Sequence, residues 1–274
     1  MDFQKEIRQF QTYLEEEELS SGTVEIYTRH AAEFIQYLNG RKPVTKNDAI
    51  RYKHLLKSRE RSVCTLNLAI ISVNRYLKYS GYPGSTVRTE KIQRRQSLEN
   101  IISISEYKKM LDYARRSGRE KYYCIMRTLA LTGIRISELQ HFTVEILGQH
   151  KIDVFSKGKQ REIYLPDCLI EELRNYCGSR NLTEGVIFRG NSALPITRVS
   201  VYKMFLSIAE AAGVPKEKAH PHSFRHLFAV TYMEHYGNLP ELADILGHSS
   251  LETTRIYTAT TAAEKRKRMN SLGL

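Results

Sequence analysis

Apolar positions in the first part of the chain recur every three or four residues, the period of amphipathic helices. Phe3, Ile7, Phe10 and Leu14 predict a first helix, and Ser20–Gly22 interrupt the pattern. Val24, Tyr27, Ala31, Phe34 and Leu38 share one face of a second helix, which stops at Gly40. Thr45 with Asp48 is a capping signal for a third, Lys46–Lys57. Leu66, Ile70, Val73 and Leu77 mark a fourth, ending near Gly81. The acidic run Glu15–Glu18 reads as a solvated helix face. From 82 to about 101 the apolar rhythm is lost. Pro83, Gly84, Arg88, Lys91, Arg94 and Arg95 there read as a basic linker.

Ser103 with Glu106 opens the second part as another capping box, and helices are expected near 104–117 and 121–131. His150–Ser156 and Arg161–Leu165 are β-rich runs separated by Lys157-Gly158-Lys159-Gln160, a hairpin signal. Helical patterning resumes near 167–177, 198–212, 222–236 and 240–246, with a short helix ending near Tyr257. The expected fold is mainly α in two domains. A four-helix domain spans 1–82, a linker 83–101, and a helical domain with a small antiparallel β-sheet 102–274.

Charge narrows the choice of partner. Forty-two Lys and Arg against 30 Asp and Glu give a formal net charge of +12. Such a surplus favours a polyanion, although many basic proteins bind no nucleic acid. If the partner is DNA, Arg88, Lys91, Arg94 and Arg95 in the linker are candidates to follow its phosphate backbone. Cys64, Cys124, Cys168 and Cys177 form no CxxC pair and read as reduced thiols, mostly in cores. No N-terminal run resembles a signal peptide. The most apolar stretch, Cys124–Ile134, contains Arg127 and is too short to span a bilayer. A soluble cytoplasmic protein without a membrane partner is expected.

Three short stretches hold candidate chemistry. In Thr132-Gly133-Ile134-Arg135-Ile136-Ser137-Glu138-Leu139, Gly133 breaks one helix and another is expected beside it. That places Arg135 near a helix start, where backbone N–H groups favour an anion and a guanidinium adds a two-pronged donor. A surface arginine fits the same pattern. In His222-Ser223-Phe224-Arg225-His226, His222 and Arg225 share a helix face. His222 and His226 have i, i+4 spacing, but Arg225 between them is a poor neighbour for a metal cation and no HExxH glutamate is present. Leu246-Gly247-His248-Ser249-Ser250 is followed by Thr253-Thr254-Arg255-Ile256-Tyr257, and Tyr257 is one of 17 tyrosines.

Taken in order, TGIRISEL, SKGKQR, HSFRH, LGHSS and TRIY resemble the tyrosine recombinase/phage integrase family, most closely its compact Xer-like members. The resemblance covers the whole chain, because GTVEIYTRHAAEFIQYL and TLNLAIISVNRYLKY are similar to the family's helical core-binding (SAM-like) DNA-binding domain. It implies that Arg135 and Arg225 clamp a phosphate, that Lys157 is the hairpin lysine acting as acid, and that His222 and His248 are the two histidines. Tyr257 is then the nucleophile and Glu138 a supporting acid beside Arg135. Lys159, two residues from Lys157, is the alternative hairpin lysine. Phe224 stands where many members have Leu.

The implied activity is site-specific cleavage and rejoining of double-stranded DNA through a 3′-phosphotyrosine. It needs no cofactor and no metal, since arginines neutralise the phosphate. His222 is the candidate to take the tyrosine's proton. The implied assembly is a tetramer on two DNA sites, with the tail after Tyr257 reaching a neighbouring protomer. Either integration and excision of a mobile element or resolution of chromosome or plasmid dimers would use this machinery. Two rival readings are strand relaxation like that of a type IB topoisomerase and a catalytically silent DNA-binding regulator.

Overall fold

Each helix of the first unit turns one stripe inward. The computed structural model describes residues 3–59, 62–91, 101–156, 159–190, 194–248, 250–258 and 270–271. Contacts divide the chain into two compact units, Met1–Arg95 and Gln96–Leu274. The first contains α1 (Phe3–Glu16), α2 (Ser21–Leu38), α3 (Lys46–Ser58) and α4 (Val63–Tyr79). The side chains of Ser20, Thr45 and Ser62 accept the N–H groups of Thr23, Asp48 and Thr65 and so fix three helix starts. Phe10, Leu14, Phe34, Leu56, Ile70, Tyr76 and Leu77 form the fully buried centre. The Phe10 ring meets Tyr76 edge-on at 5.4 Å.

One residue on the inner stripe of α1 is not apolar. Glu6 is buried, accepts the Tyr76 hydroxyl at 2.6 Å and pairs with Lys42 at 3.0 Å. Glu15–Glu18 are exposed, as their charge suggests. Beyond α4, side-chain amides hold what apolar packing does not. Asn74 exchanges two hydrogen bonds with the backbone of Val87, and Asn67 two with that of Glu90. The stretch expected to link the domains from residue 83 is therefore tied to α4 as far as Glu90. Arg88 and Lys91 are exposed; Arg94 and Arg95 lie outside the described residues.

The second unit contains α5 (Ile104–Arg116), α6 (Glu120–Thr132), β1 (Lys151–Ser156), β2 (Lys159–Tyr164), α7 (Asp167–Ser179), α8 (Arg198–Ala211), α9 (Pro221–Tyr236), α10 (Leu239–Leu246) and α11 (Leu251–Thr254). Helix α6 packs against α5, α7 and α9. Leu129, Phe142, Leu169, Phe188, Phe205 and Phe224 belong to one core, while Ala229, Leu242, Leu246 and Tyr257 form a smaller one. The entering chain is fixed where the Ile102 N–H donates to Ser223 Oγ at 2.8 Å.

The two strands pair antiparallel, from Lys151 opposite Tyr164 to Ser156 opposite Lys159. Strand β2 thus begins two residues before the expected Arg161. Lys159 and Gln160 pair with β1 instead of turning, and Lys157 and Gly158 between the strands are outside the described residues. The thiols of Cys124 and Cys177 are buried, those of Cys64 and Cys168 exposed, and all four are free. Among the described residues no helix is long and apolar enough to cross a membrane.

Replacing Glu6 with Ala is expected to destabilise the first unit by about 1–3 kcal/mol, because the Tyr76 hydroxyl loses its acceptor in the interior. The midpoint of urea denaturation, followed by circular dichroism, measures this.

Candidate active site

Two glycines at helix ends shape the site. Helix α6 closes on Gly133 and α10 on Gly247, each with φ of 61°. A methyl group on Gly133 would come within 2.5 Å of the Phe228 ring, and one on Gly247 within 2.4 Å of Arg161 Cδ. Only glycine meets both the backbone geometry and the close approach.

A helix leaves its last carbonyls without N–H partners, at the negative end of its dipole. At the end of α10, three arginines supply those partners. Arg161 Nη1 donates to the Ile245 carbonyl. Arg225 Nη2 donates to Leu246 at 2.6 Å, and Arg135 Nη2 to Gly247 at 3.1 Å. Arg225 also reaches the end of α6, donating through Nη1 to the Gly133 carbonyl at 2.5 Å. Four segments distant in sequence meet here. Arg135 stands at a helix start, as its motif predicts, and the helix it caps is a six-residue 3-10 helix, Ile136–His141.

Glu138, inside that short helix, is the counter-charge. Its carboxylate accepts the Arg135 N–H at 2.7 Å, Arg135 Nη1 at 3.3 Å and Arg161 Nη2 at 2.5 Å. Burial alone would raise its pKa. The Arg161 charge, the Arg135 N–H and the Arg135 charge overcome that and leave it below the ordinary value. Glu138 is therefore ionised at neutral pH.

Arg225 is almost fully buried. Burial, then the charges of Arg135 and Arg161, bring its pKa down to about 9, still above neutrality. His248 Nε2 lies 3.0 Å from Arg225 Nη2, and its Nδ1 lies 2.8 Å from Thr254 Oγ1. A guanidinium only donates, so Nε2 accepts and Nδ1 carries the proton toward Thr254; this tautomer is inferred from the partners. Burial and the same arginines hold His248 down to about 4, so it is neutral. His222, exposed on the first turn of α9, also has a lowered pKa, through desolvation and then the charges of Arg225, His220 and Arg135.

Tyr257 lies in the 3-10 turn Arg255–Thr258 with its ring buried. Burial pushes the phenol up to about 12, against the pull of the Arg225 charge. Its hydroxyl lies 2.5 Å from His226 Nδ1. The acceptor expected from sequence was His222, four residues earlier; the imidazole in hydrogen-bond contact is that of His226.

The structure therefore joins Arg135, Glu138, Arg225 and His248 by hydrogen bonds, and sets His222 and Tyr257 within reach of the Arg225 charge. Lys157 is outside the described residues. Sequence reasoning gave Arg161 no role and weighed His226 only as a metal partner of His222, which it set aside. Arg161 had a readable signal. It is two positions before Ile163 and opposite Val154, on the buried side of the hairpin, where alternation calls for an apolar residue. His226 had none beyond its place after Arg225. Among the described residues no group of three His, Cys, Asp or Glu side chains is placed to hold a metal ion.

Buried Arg161 and Arg225 and half-buried Arg135 thus gather around one carboxylate, beside His226 and His248 held neutral and the buried Tyr257 hydroxyl. Residues 100–264 match the phage integrase family, and the chain belongs to that family of tyrosine recombinases. It is 28% identical over 263 residues to the tyrosine recombinase XerA of Pyrococcus furiosus, covering 93% of this chain and 90% of the relative. It is 27% identical over 271 residues to the tyrosine recombinase XerD of Oceanobacillus iheyensis, covering 89% and 90%. Among solved structures, the Tn1549 transposon integrase in complex with circular intermediate DNA superposes with a TM-score of 0.75 at 19% identity, covering 99% of this chain and 98% of that one. XerA recombinase superposes with a TM-score of 0.55 at 24% identity, covering 100% and 99%.

Arg161→Ala is expected to destabilise the second unit by about 3–5 kcal/mol, since it leaves Glu138 as a partly uncompensated buried charge. The lowered pKa of Glu138 carries a sign: its stabilisation is full above the unfolded carboxyl range and is lost as pH falls through the lower folded value. Thermal denaturation of wild type and Glu138→Gln across acid pH checks this. The gap between them should narrow toward low pH.

Proposed function

We propose that this chain is a site-specific recombinase that cuts and rejoins double-stranded DNA through a 3′-phosphotyrosine at Tyr257. The observation that carries the reading is a positive surplus, with Arg161 and Arg225 buried and Arg135 half-buried. Arg135, Arg161 and Arg225 face one carboxylate, Glu138, so two positive charges remain where the histidines are neutral. Uncompensated charge in an interior is costly, and a phosphodiester supplies the missing anion.

In this reading Arg135 and Arg225 turn donors toward the non-bridging oxygens and follow the charge that builds on them in the pentavalent transition state. Arg161 does not touch DNA; it holds Glu138 and the end of α10, and so aims the other two. His222, open on the first turn of α9, donates to the phosphate. For His248 to donate as well, Nε2 has to release Arg225 and take a proton, which a bound phosphate's negative charge promotes. Lys157 protonates the leaving 5′ oxygen. The phosphotyrosine conserves the energy of the broken bond, so the 5′ hydroxyl of a partner strand reverses the step without a cofactor.

Four protomers on two DNA sites, working in the cytoplasm, would carry out the exchange. The job is integration and excision of a mobile element or resolution of chromosome or plasmid dimers. Relatives named XerA and a neighbour named transposon integrase support the recombinase reading for both. Arg88, Lys91, Arg94 and Arg95 are proposed to grip the DNA backbone.

Tyr257→Phe should bind DNA like wild type yet form no SDS-resistant adduct on a nicked suicide substrate. Adduct in that variant would put the nucleophile at another tyrosine. Arg225→Lys should slow adduct formation by about 10²- to 10³-fold, the usual cost of one charge-stabilising donor. A lysine cannot reach Gly133, Leu246 and the phosphate together. Near-normal cleavage by this variant in single-turnover kinetics would remove the clamp.

A further inference from the structure

We propose that His226 positions the Tyr257 hydroxyl and accepts its proton as the tyrosine attacks. This rests on Tyr257 being the nucleophile, and it moves the acceptor role from His222 to a residue that sequence reasoning weighed only as a metal partner.

The contact is direct. The Tyr257 hydroxyl and His226 Nδ1 are 2.5 Å apart, with ring centroids at 5.6 Å and an interplanar angle of 52°. A phenol buried this far needs a partner for its O–H, and neutral Nδ1 provides a lone pair. Nε2 then carries the ring proton. His226 follows Arg225 directly on α9, so one rigid helix sets both the phosphate-binding guanidinium and the acceptor. The helix fixes their Cα positions relative to one another, and the hydrogen bonds of each side chain fix its direction.

The electrostatics agree with an acceptor that works only on demand. Burial, then the charges of His222, His220 and Arg225, hold His226 down to about 4, and His248 across the site is also neutral. Tyr257 stands at about 12. At rest the proton stays on the phenol, and the nucleophile is kept unreactive. A phosphodiester against Arg225 changes this, because its negative charge offsets the positive charges that depress His226.

The step balances. Tyr257 Oη forms a bond to phosphorus while the bond from phosphorus to the 5′ oxygen breaks. The phenolic proton moves to His226 Nδ1, giving an imidazolium, and the 5′ oxygen takes its proton from Lys157. In rejoining, the imidazolium returns its proton to the departing phenolate.

The experiment measures single-turnover adduct formation on a suicide substrate for wild type, Tyr257→Phe, His226→Gln and His226→Phe, from neutral pH to about pH 10, where free phenols ionise. DNA binding is followed in parallel. Gln keeps a hydrogen-bond acceptor but cannot take a proton, and its similar size protects against a folding defect in the Phe variant. Both His226 variants should bind DNA normally and lose rate at neutral pH on the order of 10²- to 10⁴-fold, the usual contribution of general base catalysis. The loss should shrink as pH rises. Wild-type rate in His226→Gln at every pH, or a loss that stays constant with pH, would overturn the role. No adduct in wild type, or adduct in Tyr257→Phe, would instead sink the nucleophile assignment.

Discussion

Everything in the second unit depends on how three guanidinium groups satisfy the carbonyl end of α10. Arg161, Arg225 and Arg135 each take one of three successive carbonyls, those of Ile245, Leu246 and Gly247. Water would satisfy these groups on an exposed helix. Here arginines do so, which brings positive charge into the interior at a place where the helix dipole favours it. The arrangement is both a tertiary tie and a charge store. Strand β2, the 3-10 helix after α6, and α9 are all anchored to one helix end.

Glu138 makes the store tolerable without emptying it. One carboxylate among three arginines binds two of them directly and leaves a surplus. The surrounding imidazoles add no charge, since burial and the arginines hold them neutral. The site thus carries a net positive charge around Glu138. Gly133 and Gly247 are part of the same design, because side chains there would push Phe228 and Arg161 out of place.

The tyrosine is held beside this machinery by packing. Its ring, on the turn Arg255–Thr258, belongs to the small core with Ala229 of α9 and Leu242 and Leu246 of α10. That core is minor compared with the one around Phe205 and Phe224. Short elements on small cores open at lower cost than central helices. Tyr257 is carried on a short turn, packed against the same α9 and α10 that hold Arg225 and the capped carbonyls.

Local physics made much of this legible in the chain alone. Apolar periodicity and capping signals determined the helices, since both act between residues a few positions apart, and two β-rich runs around a glycine-containing turn determined the hairpin. The mainly helical class with one small antiparallel sheet follows from those rules. Arg135 and Arg225 were readable as candidates from their places at a helix start and on a helix face, while Glu138 and His248 took their roles from the family resemblance. Tertiary structure alone decided the rest. That Glu6 would be a buried partner of Tyr76, that Asn67 and Asn74 would hold the segment after α4, and that Arg161 would reach Glu138 all depend on distant segments meeting. The same holds for His226 rather than His222 beside Tyr257: both histidines share α9, and only the packing of the Arg255–Thr258 turn against that helix selects between them. Hydrogen bonds act over about 3 Å, so a sequence can nominate the groups but only the folded chain brings them within range.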